Sequence, residues 1–522
     1  MGQERVVVVG AGMGGLACAI DLARCGFAVT VVERANAPGG KMREIDLGGV
    51  RVDAGPTVLT MPWVFEDLFE VAGSSIDRYL RLQPLDILAR HAWDEEERLD
   101  LFSDVGRSAD AIGAFAGPAE AKGYKAFSAQ ARNIYQTLRD AFLIQRQTGP
   151  FGLAKRVGVG RTGALLALKP FETLWQALGA HFQDPRLRQL FGRYATYCGS
   201  SPFEAPATLM LIAHVEQEGV WLVEGGMQRL AEALAQLASS LGVTFRYGVS
   251  VDEILLHDGR VCGARLADNE RLEAERVVVN AGAAALATGL FGPAVQNAVN
   301  DPPIAERSLS AVTWAVHGRT QGFPLLRHNV FFSDDYRAEF EDIFGGGRLP
   351  RQPTIYVCAQ DRGAQAQEVD GAERLLILVN APPTGDQGLL NEKDLAACET
   401  QVFARLKHCG LELDRNSAAS VMTTPAQFNT LFPASGGALY GQATHGWAAA
   451  FKRPGARTRI PGLYLAGGGA HPGAGAPMAA LSGRLAAQSL MSDQALTRRW
   501  RQGATFGGTS TPSATMVGKG SP

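Results

Sequence analysis

Three glycines and one acid near the N-terminus carry the most legible chemistry of the chain. Gly10, Gly12 and Gly15 stand in G-x-G-x-x-G spacing, and Glu33 follows 18 residues after the third. Backbone without a Cβ lets a pyrophosphate come close, and a carboxylate at that remove accepts hydrogen bonds from a ribose diol. An acid there disfavours a 2′-phosphate, which makes NADP the least suitable nucleotide. Glycine turns with this spacing are also common as plain structure, so the flanking elements decide. Residues 6–9 are a four-residue apolar run of buried-strand length, and 29–32 are a second run ending on Glu33. A strand, a glycine turn, a helix whose amino end faces phosphates and an acid-tipped strand together make a dinucleotide site.

Two later stretches repeat the design. Residues 275–282 (ERVVVNAG) and 462–469 (GLYLAGGG) are short apolar runs ending in small residues, as expected of parallel strands whose C-terminal ends face a ligand. The run AHPGAGAPM at 470–478 then leads into an apolar helix over about 479–492. Taken alone this is a turn before a packing helix. Joined to the strand before it, it is a second crossing whose helix amides suit negative charge. Two glycine crossings point to a long ligand such as FAD.

At 522 residues, 46% of them apolar, the chain is long enough for two or more domains. The expected layout is α/β: a Rossmann-like FAD-binding domain assembled from 1–100, 222–290 and 455–495, and a discontinuous α+β substrate domain from 101–221 and 291–454. Residues 101–220 have mainly helical spacing, 308–381 alternate like strands, 228–241 read as a helix and 243–251 as a strand. The polar, glycine-rich tail over 502–522 reads as disordered. A formal net charge of -2 gives no general attraction for nucleic acid. The seven scattered cysteines have no C-x-x-C pair, which argues against a disulfide framework or zinc site and for a reducing compartment. No metal is expected. No window has the apolar length of a spanning helix.

Residues 141–171 contain no acid, and Arg146, Lys155, Arg156, Arg161 and Lys169 alternate there with large apolar residues such as Phe142, Phe151, Leu165 and Leu166. This is either a helical membrane-contact segment for an anionic surface or a mobile loop with solvated charges.

With these pieces assembled, the chain resembles the bacterial carotenoid desaturases of the phytoene-desaturase type, within the FAD-dependent amine-oxidase-like flavoproteins. The resemblance rests on GAGMGGL (10–16), PGGKMR (38–43), DAGPTVLTM (53–61), GVWLVEGGMQRLAEAL (219–234) and GLYLAGGGAHPGAGAPM (462–478). Residues 194–227 look most like the 1-hydroxycarotenoid 3,4-desaturases. The resemblance implies a cofactor site made by Gly10, Gly12, Met13, Gly14, Gly15, Glu33, Arg34, Gly40, Lys41, Gly55, Pro56, Thr57, Val58, Val251, Gly468, Gly469 and Met478. Glu33 would hold the adenosine ribose, Lys41 and 55–58 would lie toward the isoalloxazine, and Val251 would meet adenine. The family's frequent threonine is Ala470 here, which removes a hydroxyl from the second turn.

The implied reaction is oxidation of the C3–C4 bond of an acyclic 1-hydroxycarotenoid, a hydride passing to the flavin and a proton leaving the neighbouring carbon. His471 is the candidate base, or else a hydrogen-bonded turn residue. His214 and Glu216 are candidates for holding the substrate hydroxyl, or else surface residues. Phytoene desaturation, other carotenoid oxidation, amine or porphyrinogen oxidation and non-catalytic lipid binding are the alternatives. A water-insoluble substrate implies peripheral attachment on the cytoplasmic side of a membrane, with oxygen or a quinone as electron acceptor.

Overall fold

The apolar runs flanked by glycine turns come together in one parallel sheet. The computed structural model describes residues 3–158, 168–363 and 369–505. In it Arg5–Val9 is central, flanked by Arg276–Val279 on one side and Ala28–Glu33 on the other, with Leu463–Leu465 and Thr244–Tyr247 at the edges, all parallel. Strands more than 400 residues apart in sequence therefore end at the same rim, where such sheets bind ligands. The helix Met13–Arg24 is buried along most of its length because it is covered on its outer side by the long C-terminal helix Ala476–Thr505. The approach is close enough that a Cβ on Gly483 would lie 2.0 Å from the Gly14 carbonyl oxygen.

A second, seven-stranded mixed sheet runs in the order Ala419–Thr423, Ser310–Gly318, Glu373–Ala381, Ile355–Ala359, His328–Phe331, Ile87–Ala92, Arg98–Phe102. Its period-two alternation divides its side chains between two environments. Leu375, Ile377 and Val379 enter a core beneath the helix Glu392–His408, whereas Leu376 and Leu378 face the main cavity. Opposite that cavity face lie helices from the middle of the chain, including Pro118–Leu138 and Leu211–Gln217.

The two sheets are tied together by Asp53, which is 5% exposed. Its carboxylate accepts from the backbone N–H groups of Met227 (2.8 Å) and Gln228 (3.3 Å), capping the helix Gln228–Ser240 from a remote turn. Its backbone exchanges two hydrogen bonds with the Gln360 amide at the end of a strand of the second sheet.

Four sequence expectations change. Residues 1–100 are not one piece of the nucleotide-binding layer, because Ile87–Ala92 and Arg98–Phe102 pair into the second sheet, the former parallel to His328–Phe331. The single strand expected over 243–251 is broken by a turn at Gly248 (φ 72°). Thr244–Tyr247 stays in the parallel sheet and Val251–His257 starts a three-stranded one. The last helix begins at Ala476 and continues to Thr505, so residues 502–505 are helical rather than part of a disordered tail. Residues 506–522 lie outside the described residues.

Candidate functional site

At the rim of the parallel sheet the first and last glycine turns meet. A Cβ on Gly14 would stand 2.8 Å from both the backbone N and the Cα of Gly467, and one on Gly467 would stand 2.6 Å from Asn280 Oδ1, so the two turns meet only because both are bare. Asn280, at the end of the strand between them, sends its side chain into the gap and donates to the Gly10 carbonyl oxygen at 3.4 Å. Gly15 lies behind this surface, where a Cβ would be 2.0 Å from the Gly10 oxygen, so it sets the approach of helix to strand and does not line the cavity. The other cofactor candidates, Gly10, Gly12, Met13, Gly14, Glu33, Arg34, Gly40, Lys41, Gly55–Val58, Val251, Gly468, Gly469 and Met478, all line one cavity of about 1900 Å³.

Glu33 is fixed where a ribose would need it. Its Oε2 accepts from the Ala11 N–H at 2.7 Å and Oε1 from the Ala35 N–H at 2.8 Å. Each oxygen keeps a lone pair for a hydroxyl. Lys41 is open to the cavity yet deep in the fold, and its ammonium donates to the Leu439 carbonyl. Burial, assisted by the nearby Arg453, brings its pKa down to about 8. Arg453 is spent on the carbonyls of Tyr440, Gln442 and Gly468, pinning the second glycine turn. The meeting of two bare turns, the amino end of a 12-residue helix and a backbone-anchored carboxylate fits the phosphates and ribose of FAD.

Beyond the glycine turns the cavity runs between the seven-stranded sheet and the middle helices. Leu138, Phe142, Leu143, Ile212 and Val215 line one side, and Leu376 and Leu378 the other. Polar groups interrupt this apolar wall near Thr57. The Thr57 hydroxyl shares a 2.7 Å hydrogen bond with the Tyr356 hydroxyl, which shares another of 2.7 Å with His328 Nδ1. Burial, with Arg327 and Arg193 nearby, holds the His328 imidazole neutral, with a pKa of about 3.

The two histidines proposed from sequence are not brought to the cavity. His471 turns back onto the segment 142–145, where Nε2 donates to the carbonyls of Phe142 (3.1 Å) and Gln145 (2.8 Å), its ring edge-on to Phe142. It is absent from the lining, so its place matches the turn-holding reading and not that of a base facing substrate. His214 fails for reasons of helix geometry. Ile212 and Glu216, four residues apart on Leu211–Gln217, share the cavity face, and a residue two positions from either points away. His214 is accordingly buried edge-on to Tyr135, with Nε2 3.4 Å from Glu218. Glu216 does line the cavity, and accepts hydrogen bonds from the hydroxyls of Tyr194 (2.6 Å) and Tyr197 (2.5 Å). Asn280, Arg193, Tyr356 and Arg453 escaped the sequence reading. Only Asn280 had a signal, its position at the end of an apolar strand before a small-residue turn.

Comparison with known proteins agrees with this geometry. The chain is 51% identical to hydroxyneurosporene desaturase of Rubrivivax gelatinosus over 99% of this chain and 98% of the relative. It is 42% identical to hydroxyneurosporene desaturase of Rhodobacter capsulatus over 94% and 98%. Among solved structures, putrescine oxidase bound to putrescine superposes with a TM-score of 0.58 at 14% identity, covering 94% of this chain and 99% of that one. Cyclohexylamine oxidase from Brevibacterium oxydans gives 0.54 at 15%, covering 94% and 100%. At that identity the solved structures establish the fold alone. The family model for flavin containing amine oxidoreductases matches residues 13–491, and the chain belongs to that family.

Proposed function

We propose that the protein is an FAD-dependent desaturase that introduces the C3–C4 double bond into acyclic 1-hydroxycarotenoids in carotenoid biosynthesis. The observation that carries this reading is the shape of the cavity, in which a dinucleotide cradle opens directly into an apolar passage between two walls. The near full-length identity to hydroxyneurosporene desaturases points the same way. When bound, FAD supplies the hydride acceptor. Gly10–Gly14, Asn280 and Gly467–Gly469 would hold its pyrophosphate, Glu33 its ribose, and Lys41 with Gly55–Val58 the ring end. The apolar walls position a rigid polyene and exclude water, so that orientation provides most of the rate. The test is anaerobic: the flavin absorbance of the loaded protein bleaches with the hydroxylated carotenoid and not with an amine. Bleaching by an amine alone would place the protein with the oxidases that share its fold.

The division into an FAD-binding part and a substrate part, with the exception of residues 87–102 noted above, belongs to this proposal. So does peripheral attachment to the cytoplasmic face of a membrane. No helix among the described residues is long and apolar enough to cross a bilayer. An exposed aromatic group supports docking. Phe151 and Phe171 are 85% and 79% exposed, Phe171 lies against the half-exposed Trp447 with the rings tilted, and Phe451 bridges from Trp447 to the cavity-lining Phe142. Aromatic side chains beside a cavity that takes a lipid-soluble chain suit insertion at a bilayer interface. Of the basic residues in the segment, Lys155 and Arg156 are both exposed, and Arg156 also donates to the carbonyls of Ala141 and Arg146. Arg161, Leu165 and Leu166 lie outside the described residues. Flotation with anionic liposomes should fall when Phe151, Phe171 and Trp447 are changed to serine, and unchanged flotation would remove the docking proposal. Running the reaction under nitrogen with and without an added quinone separates quinone from oxygen as acceptor.

A further inference from the structure

Glu216 does not stand alone on the cavity wall. The structure assigns to Arg193, held by Tyr197 and paired across that tyrosine with Glu216, the recognition of the substrate's terminal hydroxyl, and we propose it as the residue that selects hydroxylated over unhydroxylated chains. This rests on the desaturase reading and identifies the group within that cavity that reads the substrate.

In a 1-hydroxy chain the oxygen is three bonds from C3 and four from C4, so it lies within about 5 Å of the reacting carbons. The group that binds it must therefore sit beside the ring-side turn of the cofactor site. Among the cavity's cations, Arg453 is spent on three carbonyls, Lys41 donates to the Leu439 carbonyl, Arg307 forms a bidentate pair with Asp386, Arg34 donates to the Thr430 carbonyl, Arg51 pairs with Glu44, and Arg43 donates to the Thr423 hydroxyl and lies over the Phe428 ring. Arg193 also lines the cavity, but among the described residues its guanidinium makes a single hydrogen bond, from Nη2 to the Tyr197 hydroxyl at 2.9 Å. The remaining N–H groups are left for a ligand. Tyr197 donates its own hydroxyl hydrogen bond to Glu216, as does Tyr194. Two carboxylate oxygens have four lone-pair sites, so Glu216 retains capacity to accept from one more hydroxyl.

The placement fits the substrate argument. Arg193, Tyr197 and Glu216 line the same cavity as Thr57 and Tyr356, whose hydroxyls share a hydrogen bond of 2.7 Å, and Arg193 is among the charges that act on the buried Tyr356 phenol. Burial opposes the charge on the guanidinium, and the Glu216 carboxylate favours it. An alcohol is the ligand this pair suits, because its oxygen accepts from Arg193 and its proton goes to Glu216. A plain hydrocarbon end would leave a cation facing apolar carbon.

The test compares two polyenes of the same length, with and without the 1-hydroxyl, in kcat/KM and in the amount of polyene retained by the protein. For the wild type the hydroxylated chain is favoured. Arg193→Met should lower kcat/KM and retention of that chain about 10- to 100-fold while raising both for the unhydroxylated chain, whose apolar end no longer faces a cation. Tyr197→Phe, which keeps the ring and untethers Arg193, should act in the same direction by about 5-fold, and it carries the test if Arg193→Met fails to fold. Equal losses for both chains, or none, overturn the assignment while leaving the desaturase reading intact. A wild type that turns over neither chain overturns that reading and the assignment with it.

Discussion

Replacing Glu33 by glutamine tests the anchoring half of the site. In the wild type both carboxylate oxygens are engaged by backbone N–H groups, at 2.7 and 2.8 Å, in a residue only 7% exposed. Glutamine keeps one acceptor and puts an NH2 group against one of those amides, so a donor faces a donor. The same NH2 replaces one of the two acceptors left for the ribose diol. A hydrogen bond to a charged group contributes about 1.5–3 kcal/mol, so losing one toward FAD raises its Kd about 10- to 100-fold. Titration of the apoprotein with FAD, followed by flavin fluorescence, measures this directly. FMN, which lacks the adenosine ribose, should bind both proteins equally weakly. If folded Glu33→Gln binds FAD within about threefold of the wild type, Glu33 does not hold the ribose and the orientation of FAD argued here is wrong.

Two further outcomes follow from the same contacts. Lys41 titrates near 8 instead of its ordinary 10.5 in the cofactor-free protein, so the cavity loses a positive charge as pH rises through that value. FAD affinity should therefore fall between pH 7 and 9 and be flat in Lys41→Met, as fluorescence titrations at several pH values will read. Because the folded value is depressed, this lysine destabilises the apoprotein below about pH 8, where both states hold the proton. That penalty is relieved as pH rises toward 10.5. Arg484 on the last helix bonds to Asp21, 3% exposed on the first helix, at 3.3 Å. Arg484→Ala leaves that carboxylate buried without its partner and should cost about 2–4 kcal/mol in urea unfolding, the lower end applying because burial already raises the Asp21 pKa. A loss under about 0.5 kcal/mol would show that the two helices do not depend on the pair.

The cofactor half of the site was legible in the sequence because its chemistry is done by backbone. Glycines at fixed offsets and an acid at a strand end follow from chain geometry within one unit, and the later strands repeat the pattern, so Gly10–Gly14, Glu33 and Gly467–Gly469 could be placed from spacing. The substrate half depends on side chains from distant elements meeting across a cavity. Arg193 follows a short helix, Tyr356 is one strand residue among many, and their proximity arises only when the seven-stranded sheet closes over the middle helices. His471 misled for the same reason. Its turn is beside the cofactor surface, but the side chain finds two backbone carbonyls on the other side, at residues no local pattern connects to it. Helix spacing already shows that His214 and Glu216 cannot share one face, and the structure decides in favour of Glu216.

The central claim is that this cavity holds a hydroxylated polyene against the flavin and oxidises its C3–C4 bond. The direct measurement supplies 1-hydroxyneurosporene in liposomes to the FAD-loaded protein and follows the polyene spectrum. The account predicts a red shift, from a chromophore lengthened by one double bond, with no such shift when phytoene is offered. A shift with phytoene and none with the hydroxylated chain would contradict it.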